Sequence, residues 1–294
     1  MASSSVNSMR PIATVVRGKK LMEGAGVQIC RTIGYGDVRV DPYLMLDELR
    51  LPAEKASAGF PDHPHRGFET CTIMKRGKME HRDSVGNKGV ICDGGVQWMT
   101  AGRGIVHSEM PVVSEGDLHG FQLWINLPAK DKMVKPRYQD IQAPDIPVVQ
   151  FEGGGHARVM AGVCEGVEGP LKLRNPGLLL DVTVPASSQT WNQTIPREWN
   201  GFAYVYDGAG TISDMRVEEQ HAYIFAQEGG DFVAAKADVA SKEMSFLLIA
   251  GKPIGEPIVQ YGPFVMNHEL EIAQAFQDYR TGRLQNPTDD PWTA

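Results

Sequence analysis

Residues 70–101, TCTIMKRGKMEHRDSVGNKGVICDGGVQWMTA, carry three short runs rich in β-branched, aromatic or aliphatic residues: Thr70–Lys75, Gly89–Cys92 and Val96–Met99. Arg76-Gly77, Gly86-Asn87 and Asp93-Gly94-Gly95 punctuate them. Runs this short, closed by glycine turns, indicate antiparallel strands rather than βαβ units. The pattern extends outward through Gly120–Asn126, Leu178–Val184, Ala203–Tyr206 and Phe246–Ala250, with Asp207-Gly208 and Glu228-Gly229-Gly230 as further turns. The spacing predicts an all-β chain built of barrels or sandwiches.

At 294 residues the chain exceeds what one hydrophobic core usually serves, so two domains are expected. Beyond Leu127 the rhythm breaks at Pro128, Pro136, Pro144 and Pro147, around Lys130-Asp131-Lys132. The reading is an N-terminal barrel over residues 1–127, a proline-rich linker over 128–147, and a C-terminal barrel with a closing helix over 148–294. Lys130, Lys132, Lys135 and Arg137 read as the solvated face of that linker rather than a partner patch. For the helix, Asn267 is the expected cap, Glu269 and Glu271 suit its positive end, and Leu270, Ile272, Ala273, Phe276 and Tyr279 form an apolar stripe. It is expected to pack on the second barrel.

Composition removes several function classes. A net charge of −7 argues against direct nucleic-acid binding, which needs a basic surface to neutralise phosphate. No apolar stretch approaches the roughly eighteen residues of a membrane span. The start, MASSSVNSMRPIATVVRGKK, lacks the apolar core of a secretory signal. It is serine-rich with no acidic residue before Glu23, which leaves a short organellar transit peptide open. Cys30, Cys71, Cys92 and Cys164 share no metal or redox spacing and read as free thiols in a reducing compartment.

Two compact groups carry the chemistry: His63-Pro64-His65, and His107-Ser108-Glu109 after the turn Gly102-Arg103-Gly104. Side chains at i and i+2 of a strand project from one face, so each pair points together. Two neighbouring strands inside a barrel would then aim three imidazoles and a carboxylate at one point. That donor set suits a divalent first-row metal, not magnesium or calcium. Six-coordinate iron would keep two positions for other molecules, unlike a closed structural zinc site. A lone His-x-His is more often a pair of turn histidines; the second group is what turns the reading toward a metal. His156, His221 and His268 stand alone and read as structural.

The runs Gly59–Thr70 (GFPDHPHRGFET) and Val96–Glu109 (VQWMTAGRGIVHSE) resemble the signature of the pirin family, and Leu123–Pro128 and Gly251–Pro257 continue the likeness. The resemblance implies two cupin (jelly-roll) β-barrels in tandem with metal, usually Fe(2+), in the N-terminal barrel alone. Carried over by position, the ligands are His63, His65, His107 and Glu109; other divalent first-row ions also fit these donors. Arg66, Glu69, His81 and Asp83 are the expected outer partners, Arg66 preferably in a structural ion pair.

Pirins are similar to quercetin 2,3-dioxygenases, so the implied substrate is a flavonol-like molecule whose central ring is opened by oxygen with release of carbon monoxide. Glu109 is then either the base that takes the 3-hydroxyl proton or a plain fourth ligand. The family also implies a second class, an iron redox-sensing transcription coregulator or a partner of a G-protein α subunit. A third reading leaves iron merely stabilising the barrel. A monomer in cytoplasm and nucleus is expected.

Overall fold

The structure, a computed structural model, describes residues 8–36, 38–52, 59–112 and 116–284. Residues 1–7, on which the transit-peptide expectation partly rests, lie outside the described residues. The runs singled out in the sequence fall on strands: Thr70–Lys75 lies within Phe68–Arg76, Gly120–Asn126 within Leu118–Asn126, and Phe246–Ala250 within Glu243–Gly251, while Gly89–Cys92 overruns its strand, Lys88–Ile91, by one residue. Among the described residues no helix is long and apolar enough to cross a membrane.

The chain divides into two units, and its ends are exchanged between them. The first comprises residues 19–143 and 254–284. Its larger sheet runs in the order Arg137–Ile141, Val96–Thr100, Phe68–Arg76, Leu118–Asn126, Tyr43–Leu51, Val27–Ile33, Lys19–Glu23. A four-stranded sheet, Phe60–His65, Ile105–Pro111, Met79–Asp83, Lys88–Ile91, lies across it. Thr72 of the larger sheet bonds to Glu109 of the smaller, which fixes the interior side of both. Alternation then places Phe68, Thr70 and Thr72 inside and Glu69, Cys71 and Ile73 on the opposite face.

The second unit comprises residues 8–18 and 144–253. Its main sheet runs Ile12–Arg17, His221–Phe225, Asn200–Ile212, Glu243–Gly251, Gly177–Pro185, Gly155–Ala161, Val148–Phe151. Its interior is apolar, with Leu180, Val182, Val205, Phe246 and Leu248 around Trp191. His156 and His221 are half-buried.

The boundaries expected at 127 and 147 therefore shift. Ile12–Arg17 pairs antiparallel with His221–Phe225 and covers what would otherwise be a bare strand edge. Arg137–Ile141, read as linker, is a strand on Val96–Thr100. Lys132 is buried rather than solvated, its ammonium donating to the carbonyls of Gly67 and Val265 and to Asn126 Oδ1.

The helix, Glu269–Arg280, packs on the first barrel, not the second. Ile272 and Ala275 join Val106, Phe264 and Met266 in one cluster. It is capped one residue later than expected, at His268, where Glu271 accepts the His268 and Asn267 backbone N–H groups. Leu270, assigned to the buried stripe, is 84% exposed, because the apolar face follows Ile272, Ala275, Phe276 and Tyr279.

Candidate metal centre

His63 and His65 close the strand Phe60–His65, and the register of its antiparallel neighbour sets His107 opposite His63 and Ile105 opposite His65. Directly opposed residues share a face. The three imidazoles accordingly converge, with ring centroids 4.5 Å (63–107), 4.7 Å (63–65) and 5.0 Å (65–107) apart. One nitrogen from each lies within 4.8 Å of the others, and this group could hold a metal ion. The chain can turn sharply after His65 because Gly67 adopts φ +87°, and any Cβ there would lie 1.9 Å from the Val265 carbonyl.

Electrostatics prepare the triad for a cation. Burial pushes the His65 pKa well below the usual imidazole value; His63 and His107 push the same way, against a hydrogen bond to the Pro263 backbone. His107 is lowered by burial too, then by His63 and His81. Both rings are therefore neutral at pH 7, with lone pairs available. His63 Nδ1 lies 2.8 Å from the Pro61 carbonyl, which can only accept, so that nitrogen carries a proton and Nε2 is the atom left to face a cation. His65 Nδ1 and both nitrogens of His107 are buried without a hydrogen-bond partner. Buried polar atoms are nearly always partnered, so these orphans fit a site that takes a first-row divalent ion.

Glu109 stands two residues along the same strand, 3% exposed, but is not among the atoms that cluster within 4.8 Å. Its Oε1 accepts the Thr72 hydroxyl at 2.7 Å and its Oε2 accepts Gln122 Nε2 at 2.8 Å. His63, His65 and Glu109 line a cavity of about 610 Å³. Phe60, Leu44 and Trp124 supply apolar wall, and Arg31, paired to Asp47 through two 2.7 Å bonds, supplies a polar one.

The expected outer partners separate. His81 is buried opposite Glu109 in the ladder, stacks on Tyr138 and bonds through Nε2 to Asp140 Oδ2 at 2.9 Å. Asp83 opposes His107 in register, yet its carboxylate closes a turn by accepting the Val85 and Asn87 N–H groups and the Asn87 side chain. Arg66 is in a structural ion pair with Asp278 at 2.8 Å and donates to the Arg103 carbonyl. Glu69 faces away from the cavity and accepts the Thr100 hydroxyl. Sequence reasoning did not find Thr72, Gln122 or Asp140, because each reaches the site from a strand whose register no local motif reveals.

The sequence pattern of the Pirin family matches residues 26–125, and that of the Pirin C-terminal cupin domain matches residues 179–285. A pirin-like protein of Solanum lycopersicum is 44% identical over 287 residues, covering 96% of either chain. The chain belongs to the pirin family. Pirin-like protein 2 of Arabidopsis thaliana is 43% identical over 280 residues, covering 93% of this pirin and 85% of the relative. A crystal structure of a quercetin 2,3-dioxygenase from Acinetobacter baumannii superposes on this pirin with a TM-score of 0.87 at 33% identity, covering 94% and 99% of the two chains. The two units are thus tandem cupin domains, the histidine triad lying in the first.

Proposed function

We propose that this pirin is a metal-dependent dioxygenase of the quercetin 2,3-dioxygenase type, opening the central ring of a flavonol with dioxygen and releasing carbon monoxide. One observation carries the reading: a cavity of about 610 Å³ has two histidines of the triad, His63 and His65, and the buried carboxylate of Glu109 in its wall. That volume falls inside the roughly 300–1,000 Å³ range of small-molecule sites. An ion that only senses redox state or braces the barrel needs no such chamber. The resemblance to a solved quercetin 2,3-dioxygenase supports the same reaction class.

His63, His65 and His107 would hold the ion, which we assign as ferrous iron, manganese, cobalt, nickel and copper being compatible with the same donors. Bound there, it supplies Lewis acidity to a substrate hydroxyl and a redox partner for oxygen chemistry. Glu109 accepts the flavonol 3-hydroxyl proton at a carboxylate oxygen, its position being set by Thr72 and Gln122. Trp124 and Phe60 offer flat apolar surface to an aromatic substrate, while Arg31 and Asp47 meet its polar groups.

Purified protein loaded with Fe(2+) is expected to consume quercetin and oxygen together and to release carbon monoxide. Chelation abolishes this, and His107→Ala lowers metal affinity by more than the roughly 100-fold typical of losing an outer partner. Background turnover from fully loaded protein sinks the reading.

A further inference from the structure

The interior face of the larger sheet carries a row of polar side chains that crosses adjacent strands. Arg31 on Val27–Ile33 is directly opposed by Asp47 on Tyr43–Leu51, Asp47 by Gln122 on Leu118–Asn126, and Gln122 by Thr72 on Phe68–Arg76. Opposed residues share a face, and Arg31, Asp47 and Gln122 line the same cavity as His63 and His65. The flanking rows are apolar at this end, with Ile29 beside Leu49 on one side and Met45 beside Trp124 on the other. We propose that the Arg31 end of the row is a subsite for two adjacent hydroxyl groups on an aromatic ring, which selects uncharged catechol-bearing substrates over anionic ones. The inference rests on the flavonol reading of this cavity and specifies the end of the substrate that lies away from the metal.

Arg31 is pinned before any ligand arrives. Its Nε donates to Asp47 Oδ1 and its Nη2 to Oδ2, both at 2.7 Å, and Nη2 lies 3.1 Å from Glu23 Oε1. Nη1 makes no hydrogen bond among the described residues, so its two N–H groups remain to be offered. Glu23 lines the cavity as well, and the three groups sum to one negative charge. Arg39 also reaches the cavity wall, but it is exposed, where water and salt screen it. A ligand carboxylate therefore gains little from a guanidinium already neutralised twice, and it is repelled by Asp47 and Glu23. A hydroxyl suits the cluster, because it can accept from Nη1 and donate to a carboxylate. Two adjacent hydroxyls do both together and bring no charge. Phe60, Leu44 and Trp124 in the same wall favour an aromatic carrier over a sugar.

The test is flavonol binding, read by quenching of tryptophan fluorescence in Fe(2+)-loaded protein without dioxygen, so that nothing turns over. Quercetin, with two adjacent hydroxyls on its outer ring, is compared with galangin, which has none there; both present the same chelating end to the metal. Wild-type protein is expected to bind quercetin about tenfold more tightly, as hydrogen bonds to charged groups allow, and to reject a flavonol carrying a carboxylate on that ring. Arg31→Met, Asp47→Leu replaces the ion pair with apolar groups of similar volume, and its preference falls to about twofold or less. Glu23→Gln leaves the buried pair in place, narrows the quercetin preference and tightens binding of the carboxylated flavonol about threefold. Should the double variant fail to fold, Glu23→Gln decides, and no change in either of its readouts overturns the proposal. Excess mannose, a sugar with adjacent hydroxyls, is expected to displace no quercetin; displacement assigns the subsite to carbohydrate and overturns the proposal. Equal wild-type affinity for quercetin and galangin, or a preference that survives in the double variant, overturns it too and leaves the flavonol reading standing. Wild-type protein that binds neither flavonol overturns the flavonol reading and the subsite with it.

Discussion

Lys132 lies in a proline-broken, charged stretch, and by composition it belongs on the surface. Instead its ammonium donates at 2.8 Å to the Gly67 carbonyl, 2.6 Å to Asn126 Oδ1 and 3.0 Å to the Val265 carbonyl, which uses all three protons. Burial pushes its pKa from the ordinary 10.5 down to about 8, partly opposed by Glu256 and Glu271. Lys132→Met leaves those acceptors buried and unpaired, and is expected to cost about 3–5 kcal/mol in urea denaturation at pH 7. Between pH 8 and 10.5 the unfolded chain holds the Lys132 proton more tightly than the folded one. Wild-type stability therefore rises with pH across that window, and the Met variant lacks the slope. The gap between the two should widen by about 2–3 kcal/mol from pH 8 to pH 10.5; a constant gap would contradict the depressed pKa. Charge runs are usually solvated, and nothing local to residues 130–132 marks one lysine as the exception.

The helix Glu269–Arg280 was legible because its composition and caps are local properties, but the surface it covers was not. Periodicity says that one face is apolar; it does not say which barrel lacks a cover. The structure answers through Arg66 and Asp278, whose side chains meet at 2.8 Å in a largely buried pair next to the histidine strand. Burial lowers the Arg66 pKa and Asp278 opposes that shift, so the guanidinium depends on its carboxylate. Asp278→Ala strands a buried cation and is expected to destabilise by about 3–5 kcal/mol. In the double variant Arg66→Met, Asp278→Leu more than half of that loss should return, because an apolar pair removes the charge as well. Chemical denaturation of the three proteins checks both; a double variant no more stable than Asp278→Ala would mean that the pair is not what holds the helix.

At the scale of the molecule, each barrel is completed by chain from the far end. Residues 254–284 brace the first: Arg66 and Phe264 form a parallel bridge, and Val265 N–H donates to the Arg66 carbonyl at 3.0 Å. A chain ended at Pro253 keeps all three histidines yet loses this brace, Lys132's Val265 acceptor and Arg66's carboxylate partner. We expect it to bind Co(II) at least tenfold more weakly than the full chain and to lose the cooperative melting of the first unit. Wild-type-like Co(II) affinity and a single sharp transition would refute that dependence. The second unit, whose core is apolar throughout, should survive the same truncation.

Short apolar runs between glycine turns made the strands and the antiparallel class readable, since strand formation and tight turns are decided by neighbouring residues. The two-residue spacing of His63 with His65 and of His107 with Glu109 gave the shared faces for the same reason. Tertiary structure alone decided what lies opposite those faces. Register across ladders brought Thr72 and Gln122 onto Glu109 while leaving His65 Nδ1 and both nitrogens of His107 without a hydrogen bond. Burial, a property of the whole packed unit, converted Lys132 and Arg66 from surface charges into internal clamps. Which barrel receives each end of the chain depends on whose edge and whose apolar face would otherwise stay uncovered, and no local stretch of sequence encodes that.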